Sequence, residues 1–352
     1  MNIPVYAATA VMMALSLNPT HVRVPAYGYH NGTVLIDITL ERAYHSLVDP
    51  LRPGISCSTH YPTPLKMPFD VPIGSGRPWG RNSITACGDL MYGVQRMWDM
   101  LRDWLGRDGI DGVGGGVPAR VEWNPPAPVP PPVVDFVFRR DADNFPTSLD
   151  LVGHEYGHVV YRTTPGGAGE DNESHGLNEG AADIFGTLTE WYANNTVDRP
   201  DYVIGESLEL PSGLPLRHTY DPSLDGHPGC YSDQIPDAEA PAASGPLRHW
   251  FYLLAEGSHP GGGNPASPIC AGGPAAVSGI GIQKAGKIFM GALNHKTHSW
   301  RYTSARSASL AAAIALYGPL GPECATVQAA WDAVNVPSQP DDPSCAPPHP
   351  GT

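Results

Sequence analysis

The sequence predicts an α+β protein with a β-rich N-terminal lobe and a mainly α-helical C-terminal lobe. A chain of 352 residues, 41% of them apolar, is long for one core and suits two lobes that share a cleft. Residues 25–84 are rich in Thr, Val, Tyr, Gly and Pro and contain alternating runs such as GTVLID at 32–37, which are typical of short strands. Helical spacing of apolar residues dominates the C-terminal third.

Four segments follow from this pattern. Residues 1–24 are interpreted as a leader remnant, residues 25–162 as the β-rich lobe, residues 163–336 as the helical lobe and residues 337–352 as a Pro-rich tail. The apolar run in the first segment has no basic flank and is too short to span a membrane. It fits a weak or truncated export signal or the remnant of a longer precursor.

Helices are predicted in order along the chain. An apolar stripe over residues 88–105 indicates a core helix, formed by Leu90, Val94, Met97, Trp98, Leu101 and Leu105. The segment NPPAPVPPPVV at 124–134 predicts extended, non-helical chain because proline cannot donate to a ladder. Later helices are expected over residues 150–161, 178–194, 244–257, 279–294, 303–317 and 322–334.

The net charge of the chain limits the classes of molecule that it can bind. The formal net charge of −14 argues against nucleic acid, which needs clustered Lys and Arg. No membrane partner is expected either, and we expect a monomer. An acidic chain can hold calcium, although most of its carboxylates are as well explained by solubility.

The six cysteines contain no CxxC pair and none lies near the histidine motif described below, so sulfur ligation of a metal is not expected. An even number of cysteines suits up to three disulfides in an oxidising compartment, which favours secretion. We expect sequential pairing of Cys57, Cys87, Cys230, Cys270, Cys324 and Cys345.

The stretch HEYGH at residues 154–158 is a potential metal site. Positions i and i+4 share one helix face, so His154 and His158 can bind one zinc ion, with Glu155 beside them. The alternative is a helix that carries two solvent-facing histidines.

The segment NEGAADIFG at 178–186 argues against that alternative. Glu179 lies 21 residues beyond His158 and opens the second predicted helix, which can fold back to supply a third ligand. Asp183, one turn later, can accept the second N–H of a ligand histidine. Two His and one carboxylate leave a position for water, the catalytic arrangement of zinc.

With these motifs in order, the sequence resembles the thermolysin family of secreted zinc endopeptidases. The similarity extends from residue 28 to residue 336. It rests on GYHNGTVLI, HEYGH, NEGAAD, IGES, LRHTYDP, SGPLRHWFYLL, GIGIQKAGKIFMGAL and VQAAWDAVNV.

The resemblance implies a two-lobe fold with the HExxH helix at the cleft floor, and it assigns roles. His154, His158 and Glu179 become zinc ligands, and Glu155 becomes the general base. Two further sets are implied: Asn178 and Asp183 as partners of the histidines, and Arg217 as the group that holds a substrate carbonyl. An apolar substrate pocket is expected from Leu151, Ile204 and Leu216.

The resemblance also implies calcium. The family's carboxylate cluster corresponds to Asp150, Glu190, Asp201 and Glu206. One acidic position of that cluster is Val203 here, so a double site is expected to be reduced to one ion. Without a cation the four carboxylates would repel one another.

Three positions depart from the family pattern. The family's oxyanion-binding histidine and tyrosine correspond to Pro241 and Glu170, and the proline run 124–134 replaces the strand that pairs with substrate. His227 or His218 could supply the missing donor, or both could be ordinary surface-loop histidines. Loss of one oxyanion donor typically costs about 10²–10³ in turnover.

These observations predict a zinc-dependent peptidase, a hydrolase acting on a peptide or protein substrate with altered specificity or reduced activity. Two alternatives stay open. One is a metal-dependent enzyme on the same fold that acts on small amides or esters, and the other is a zinc-binding protein without catalysis.

Overall fold

The computed structural model describes most of the chain, over residues 20–60, 63–74, 82–122, 136–139, 145–208 and 210–346. The N-terminal part is built on β-sheets and the C-terminal part on helices, so the predicted α+β class is confirmed. The proline run 124–134 lies outside the described residues, as do residues 1–19 of the predicted leader.

A four-stranded antiparallel sheet opens the fold, in the order β1-β2-β3-β6. Val34, Ile36 and Ile38 point into the core from β2, while Leu35 is half exposed, which is the alternation expected of a sheet covered on one face. The strands are β1 (Thr20–Tyr27), β2 (Thr33–Glu41), β3 (Tyr44–Ser46) and β6 (Lys66–Pro68).

Residues 20–24, which the sequence analysis placed at the end of the leader remnant, belong to β1. The segment pairs residue by residue with β2, for example Val24 with Ile36. Among the described residues, no helix combines the length and the apolar character that crossing a bilayer requires.

A second sheet has the order β5-β4-β7-β8 and mixes antiparallel with parallel pairs. Its strands are β4 (Cys57–His60), β5 (Thr63–Pro64), β7 (Ala119–Glu122) and β8 (Phe136–Arg139). A two-residue ladder, β9 (Val203–Ile204) with β10 (Arg217–His218), lies further along the chain and carries residues of the site.

The first helix, α1 (Ser83–Asp103), begins five residues earlier than its apolar stripe predicts. Asn82 caps it: its side-chain oxygen accepts the backbone N–H groups of Ile84 at 2.9 Å and Thr85 at 3.0 Å. The predicted core face is buried, and it packs against both sheets and the next helix.

Two helices carry the histidine motif and the acidic motif: α2 (Leu149–Thr163) and α3 (Asn172–Ala193). They approach closely because the contact face of α2 bears glycines. A Cβ at Gly153 would lie 2.8 Å from the Cα of Gly186, and one at Gly157 would lie 2.9 Å from the Cα of Ala182. Close backbone contact therefore fixes the distance between the two motifs.

The predicted start of α3 at residue 178 was wrong by six residues. Asp171 caps the helix and accepts the N–H of Ser174 at 2.9 Å, while the Ser174 hydroxyl accepts the N–H of Asp171 at 3.1 Å. This reciprocal pair starts the helix well before Glu179, which therefore lies in its interior.

Five helices complete the C-terminal part: α4 (Ala240–Ala243), α5 (Gly245–Ala255), α6 (Ile282–Leu293), α7 (Tyr302–Tyr317) and α8 (Pro322–Ala333). The last four match the predicted helices to within about three residues at each end. Trp250 of α5 stacks on Trp331 of α8 with ring centroids 4.3 Å apart, which joins the first and last of these four.

All six cysteines are paired sequentially, as expected: Cys57–Cys87, Cys230–Cys270 and Cys324–Cys345. The second bridge fastens the segment that follows β10. The same segment is held by His249, whose Nδ1 donates to the Gly229 carbonyl at 2.8 Å. This part of the chain is therefore tied to the helical lobe at two adjacent points.

Replacing Cys230 and Cys270 together by serine is expected to lower the free energy of unfolding by about 4 kcal/mol, because the bridge closes a loop of 40 residues. Urea denaturation measures the loss. The matched control is the double serine variant of Cys324 and Cys345, which should lose about 3 kcal/mol. Equal losses in the two variants would contradict the dependence of the stabilisation on loop length.

Candidate metal centre and active site

Two imidazoles face each other on α2. The Nδ1 of His154 lies 2.9 Å from Asp183 Oδ1, and the Nδ1 of His158 lies 3.1 Å from Asn178 Oδ1. Both partners are oxygen acceptors, so both Nδ1 atoms carry the proton and both Nε2 atoms present a lone pair. The two Nε2 atoms are 3.2 Å apart.

That separation fits a bound zinc ion. Two Zn–N bonds of about 2.0–2.1 Å at a tetrahedral angle place the nitrogens about 3.3 Å apart. Two unprotonated nitrogens this close would otherwise repel each other, and a cation that binds both relieves the repulsion. The geometry and the chemistry of this pair therefore fit the metal.

Glu179 reaches the same point from α3. Its Oε2 lies 3.7 Å from His154 Nε2, and its Oε1 lies 3.6 Å from His158 Nε2. The ligand atoms of the three side chains all fall within 4.8 Å of one another. The structure thus brings together the three residues that the sequence analysis selected.

Behind His154 lies a buried ionic group. Asp183 Oδ1 accepts from Arg217 Nη2 at 2.8 Å as well as from His154, and Arg248 Nη1 lies 3.7 Å from the other oxygen. Burial alone would raise the pKa of Asp183, but Arg217, His154 and Arg248 outweigh burial and hold it well below its usual range. The carboxylate is therefore ionised and fixes the His154 ring.

The two imidazoles differ in basicity. Burial and the adjacent His154 ring lower the pKa of His158, which keeps that ring neutral and able to coordinate. For His154, burial acts in the same direction, but Asp183 outweighs it and raises the pKa. Glu155 is half-buried between the two histidines on α2.

A second acidic group lies about one turn from His154 toward the N-terminus of α2. Asp150, Glu190 and Glu206 offer carboxylate oxygens within 4.8 Å of one another. Glu190 is fully buried, and among the described residues neither of its carboxylate oxygens has a hydrogen-bond partner. Burial and repulsion from Asp150 raise its pKa well above the usual value, as expected for an acid that needs a cation.

Two more acids surround this group. Asp201, predicted as a member, lies beside it, but its Oδ1 accepts the backbone N–H of Val203 at 2.7 Å. Sequence reasoning missed Asp198, a buried residue whose Oδ2 accepts the N–H of Leu149 at 2.8 Å. Burial and then Asp150 raise the pKa of Asp198 to about 7. Its position in the TVDRPD turn gave no signal in the sequence.

Comparison with known proteins gives the family. The thermolysin metallopeptidase catalytic domain matches residues 26–128, and the thermolysin metallopeptidase alpha-helical domain matches residues 170–336. The chain belongs to the thermolysin family. The resemblance and the thermolysin-like fold predicted from the motifs are confirmed.

The curated relatives of this thermolysin-family chain are longer. A transglutaminase-activating metalloprotease of Streptomyces mobaraensis is 36% identical over 281 residues, which cover 73% of this chain and 35% of that protein. A bacillolysin of Bacillus caldolyticus is 36% identical over 200 residues, 54% of this chain and 34% of that protein. The chain therefore spans about a third of the length of the curated relatives it matches.

A solved structure supports the fold independently. The precursor of protealysin, a metalloproteinase from Serratia proteamaculans, superposes with a TM-score of 0.55 at 20% identity. The match covers 80% of this chain and 87% of that one.

Pro241 and Glu170 are the residues that the sequence analysis set at the family's two oxyanion-donor positions; a proline has no backbone N–H, and a carboxylate only accepts. Pro241 lies in the short helix α4, where its carbonyl oxygen accepts from Ser244 Oγ at 2.7 Å. Glu170 has an exposed side chain, 3.7 Å from the Nε2 of His298. Neither is in contact with the three converging ligand atoms.

Arg217 is buried, and both its Nε and its Nη2 donate to Asp183. Ile204 of β9 pairs with Arg217 of β10, and the Leu216 backbone N–H donates to the Ile204 carbonyl at 2.9 Å. Leu151 is buried on α2, next to Asp150, whose Oδ2 accepts the N–H of Gly205 at 2.5 Å. The predicted substrate-pocket residues thus belong to neighbouring elements.

Sequence reasoning also missed Arg248. Its side chain is completely buried on α5 and contacts both the Asp183 group and the loop after β10. One signal was available: an arginine inside the apolar run PLRHWFYLL must either reach solvent or meet a buried carboxylate.

Proposed function

We propose that this protein is a zinc-dependent peptidase that hydrolyses peptide bonds with Glu155 as the general base. The convergence of two unprotonated Nε2 atoms and the Glu179 carboxylate is the observation that carries the proposal. His154, His158 and Glu179 would hold the ion and leave room for water and a substrate oxygen. Zinc would supply an activated water and polarise the scissile carbonyl.

The chain's own residues do the rest. Glu155 would accept the proton from the attacking water and pass it to the leaving nitrogen. Asp183 and Asn178 hold the two imidazoles in the tautomer that ligation needs. Arg217, fixed by Asp183, would bind a carbonyl of the substrate, and Leu151, Ile204 and Leu216 would line the pocket for an apolar side chain.

Altered specificity or reduced turnover follows from Pro241 and Glu170, which donate nothing to an oxyanion. We propose His227 as the group that replaces them. A second candidate is an enzyme on this fold that hydrolyses small amides or esters, because the proline run 124–134 replaces the family's strand that pairs with an extended peptide.

Hydrolysis of casein, a blocked dipeptide amide and a matched ester by zinc-loaded protein tests the proposal. Cleavage of casein and the amide, lost on chelation with phenanthroline and restored by zinc, would support a peptidase. Cleavage of the ester and small amide without casein would support the second candidate. A protein that binds one zinc per chain and cleaves none of the three would overturn both.

We further propose one structural calcium ion at Asp150, Glu190 and Glu206, with Asp198 and Asp201 around it. Calcium prefers carboxylate oxygens, and Glu190 has no other partner for its charge among the described residues. The charges around Glu190 are all of one sign: burial first, and then repulsion from four other acids, raises its pKa.

Calcium at a hundredfold excess over its Kd is expected to stabilise the protein by about 2.7 kcal/mol. Glu190→Gln should have opposite effects on stability without and with calcium. It removes a buried charge that repels Asp150 when calcium is absent and binds the ion when calcium is present. The variant should be more stable than wild type in EGTA and gain much less from calcium. Thermal unfolding with and without calcium measures both, and an equal calcium gain in the two proteins would contradict the site.

We also propose that the protein is secreted and acts as a monomer. The three disulfides support secretion because such bonds persist in oxidising compartments.

A further inference from the structure

Arg248 links the metal side of the site to the loop that follows β10. Its Nη1 lies 3.7 Å from Asp183 Oδ2 and 2.9 Å from Ser244 Oγ. Its Nη2 lies 3.2 Å from Asp225 Oδ2 and 3.0 Å from the Nδ1 of His227. A chain of contacts therefore runs from the ligand His154 through Asp183 and Arg248 to His227.

The contact with His227 fixes a proton. A guanidinium has only N–H donors and stays protonated throughout the working pH range, so the Nδ1 of His227 must accept. The ring proton is then on Nε2. An imidazolium would set an N–H against an N–H, so Arg248 also disfavours the charged ring.

His218, the other histidine considered for the same task, has the opposite arrangement. Its Nδ1 lies 2.6 Å from Asp225 Oδ1, a carboxylate that can only accept. The proton of neutral His218 is therefore on Nδ1, and its Nε2 has no hydrogen to offer. Of the two rings, only His227 can donate from Nε2 while neutral.

His227 also borders open space. It lines an open pocket of about 520 Å³ together with Ser223, Gly226, Pro228, Ser232, Gln234, Ile235 and Ala238. Within the described part of the chain, its Nε2 has no hydrogen-bond partner. A fixed N–H at the wall of an open pocket is suited to an acceptor such as a carbonyl oxygen.

We propose that Arg248 is a positioning residue that holds His227 as the Nε2–H tautomer, and that His227 thereby donates to a carbonyl oxygen of the substrate. This inference rests on the proposed peptidase function and names the donor that replaces Pro241 and Glu170. Arg248 also occupies the neighbourhood of Pro241, whose carbonyl lies 3.5 Å from its Nη1.

The surrounding charges agree with a neutral ring. Burial and then Arg248 lower the pKa of His227, with Arg217 acting in the same direction. Asp225 and Asp183 oppose them but do not prevail. The lowered pKa of His227 agrees with the neutral ring that the contact with Arg248 requires.

Nitrogen-15 NMR of histidine-labelled, zinc-loaded protein tests the tautomer directly, in a Glu155→Gln background that prevents self-cleavage. Signals are assigned by their loss in His227→Gln and His218→Gln. We expect His227 as the neutral Nε2–H form at pH 7.5, and Nδ1–H in His218. An Nδ1–H or doubly protonated His227 would overturn the proposal.

The role of Arg248 is tested with Arg248→Met and Arg248→Lys, after zinc content and thermal unfolding show that each variant is folded. In Arg248→Met, His227 should gain an Nδ1 proton, whereas Lys keeps a donor and should largely preserve the wild-type spectrum. An unchanged His227 tautomer in a folded Arg248→Met protein would overturn the proposal. If Arg248→Met does not fold, Arg248→Lys decides alone. It should keep the wild-type tautomer of His227, and a gained Nδ1 proton on His227 would overturn the proposal.

Steady-state kinetics then distinguish a positioning role of Arg248 from a general loss of structure. Arg248→Met should lower kcat about tenfold or more with little change in KM, since a lost oxyanion donor costs about 10²–10³. In a His227→Ala background the same change should cost nothing further, because Arg248 acts through that ring. Additive losses would overturn the proposal. If wild type hydrolyses no substrate, the peptidase function fails, while the NMR result still decides the tautomer.

Discussion

Glu155→Gln is expected to lower peptide hydrolysis by about 10²–10⁴-fold while the protein still binds one zinc ion per chain. Glutamine keeps the shape of the side chain on α2 but cannot accept the proton of the attacking water. The ligand set does not include Glu155, so zinc content, measured by atomic emission, should not change. Initial rates on the blocked dipeptide amide give the size of the loss.

Glu239→Gln is the matched control, because Glu239 is an exposed glutamate at the start of α4 and lies outside the proposed machinery. Its rate should stay within twofold of wild type. Full activity in Glu155→Gln would remove Glu155 from the mechanism. Loss of both activity and zinc would instead show that the residue supports the ligands.

Asp183→Asn is expected to lower the free energy of unfolding by about 3–5 kcal/mol, because it leaves the buried guanidinium groups of Arg217 and Arg248 without their shared carboxylate. The zinc affinity should fall about 10–100-fold as well, since His154 loses the acceptor of its Nδ1 proton. Urea denaturation and competition with a chromogenic chelator measure the two effects.

The pH dependence of this stability has a definite sign. Arg217 and His154 outweigh burial and depress the folded-state pKa of Asp183 below its unfolded value of about 3.9. Its contribution is therefore complete above that value and is lost as the pH falls further, so the gap between wild type and variant should be constant from pH 5 to 8.

Asp332→Asn provides the control for a general effect of losing an ion pair. Asp332 accepts from the buried Arg306 at 2.7 Å but is itself about half exposed, and Arg306 keeps Asp342 at 3.1 Å, so its loss should cost less than about 1 kcal/mol. A comparable loss in the two variants would mean that the buried group around Asp183 has no special weight.

The metal side of this molecule was predictable because its signals are local. The i, i+4 spacing in HEYGH needs only a helix, and NEGAAD supplies Glu179 and Asp183 four residues apart on the next one. The register between α2 and α3 was not predicted, because it depends on Gly153 and Gly157, whose role is seen only when the helices are packed. An error of six residues in the start of α3 did not disturb the ligand set, because Glu179 keeps its helical phase.

The substrate side was not predictable in the same way. Arg248 and His227 are 21 residues apart and belong to different elements, and their contact depends on how the tethered loop lies against α5. Asp198 likewise lies beside the acidic group only because of the path that the turn at residues 196–201 takes. Such contacts depend on tertiary folding, and one sequence carries no periodic signal for them.

The close approach of α2 and α3 fixes the position of the histidine motif relative to the acidic motif. A single methyl group at Gly157 would act as a wedge between the helices, 2.9 Å from the backbone of Ala182. Metal–ligand distances tolerate errors of only about 0.2 Å, so even a small separation of the helices would be felt at the ion. The loop that carries His227 is held at separate points: Pro228 packs against Gly245 of α5, Gly229 and Cys230 are anchored, and Arg248 contacts Asp225 and His227. Under the proposed function, changes of substrate are therefore expected at exposed positions between these points, such as Ser232 and Gln234, with the proposed metal centre left as it is.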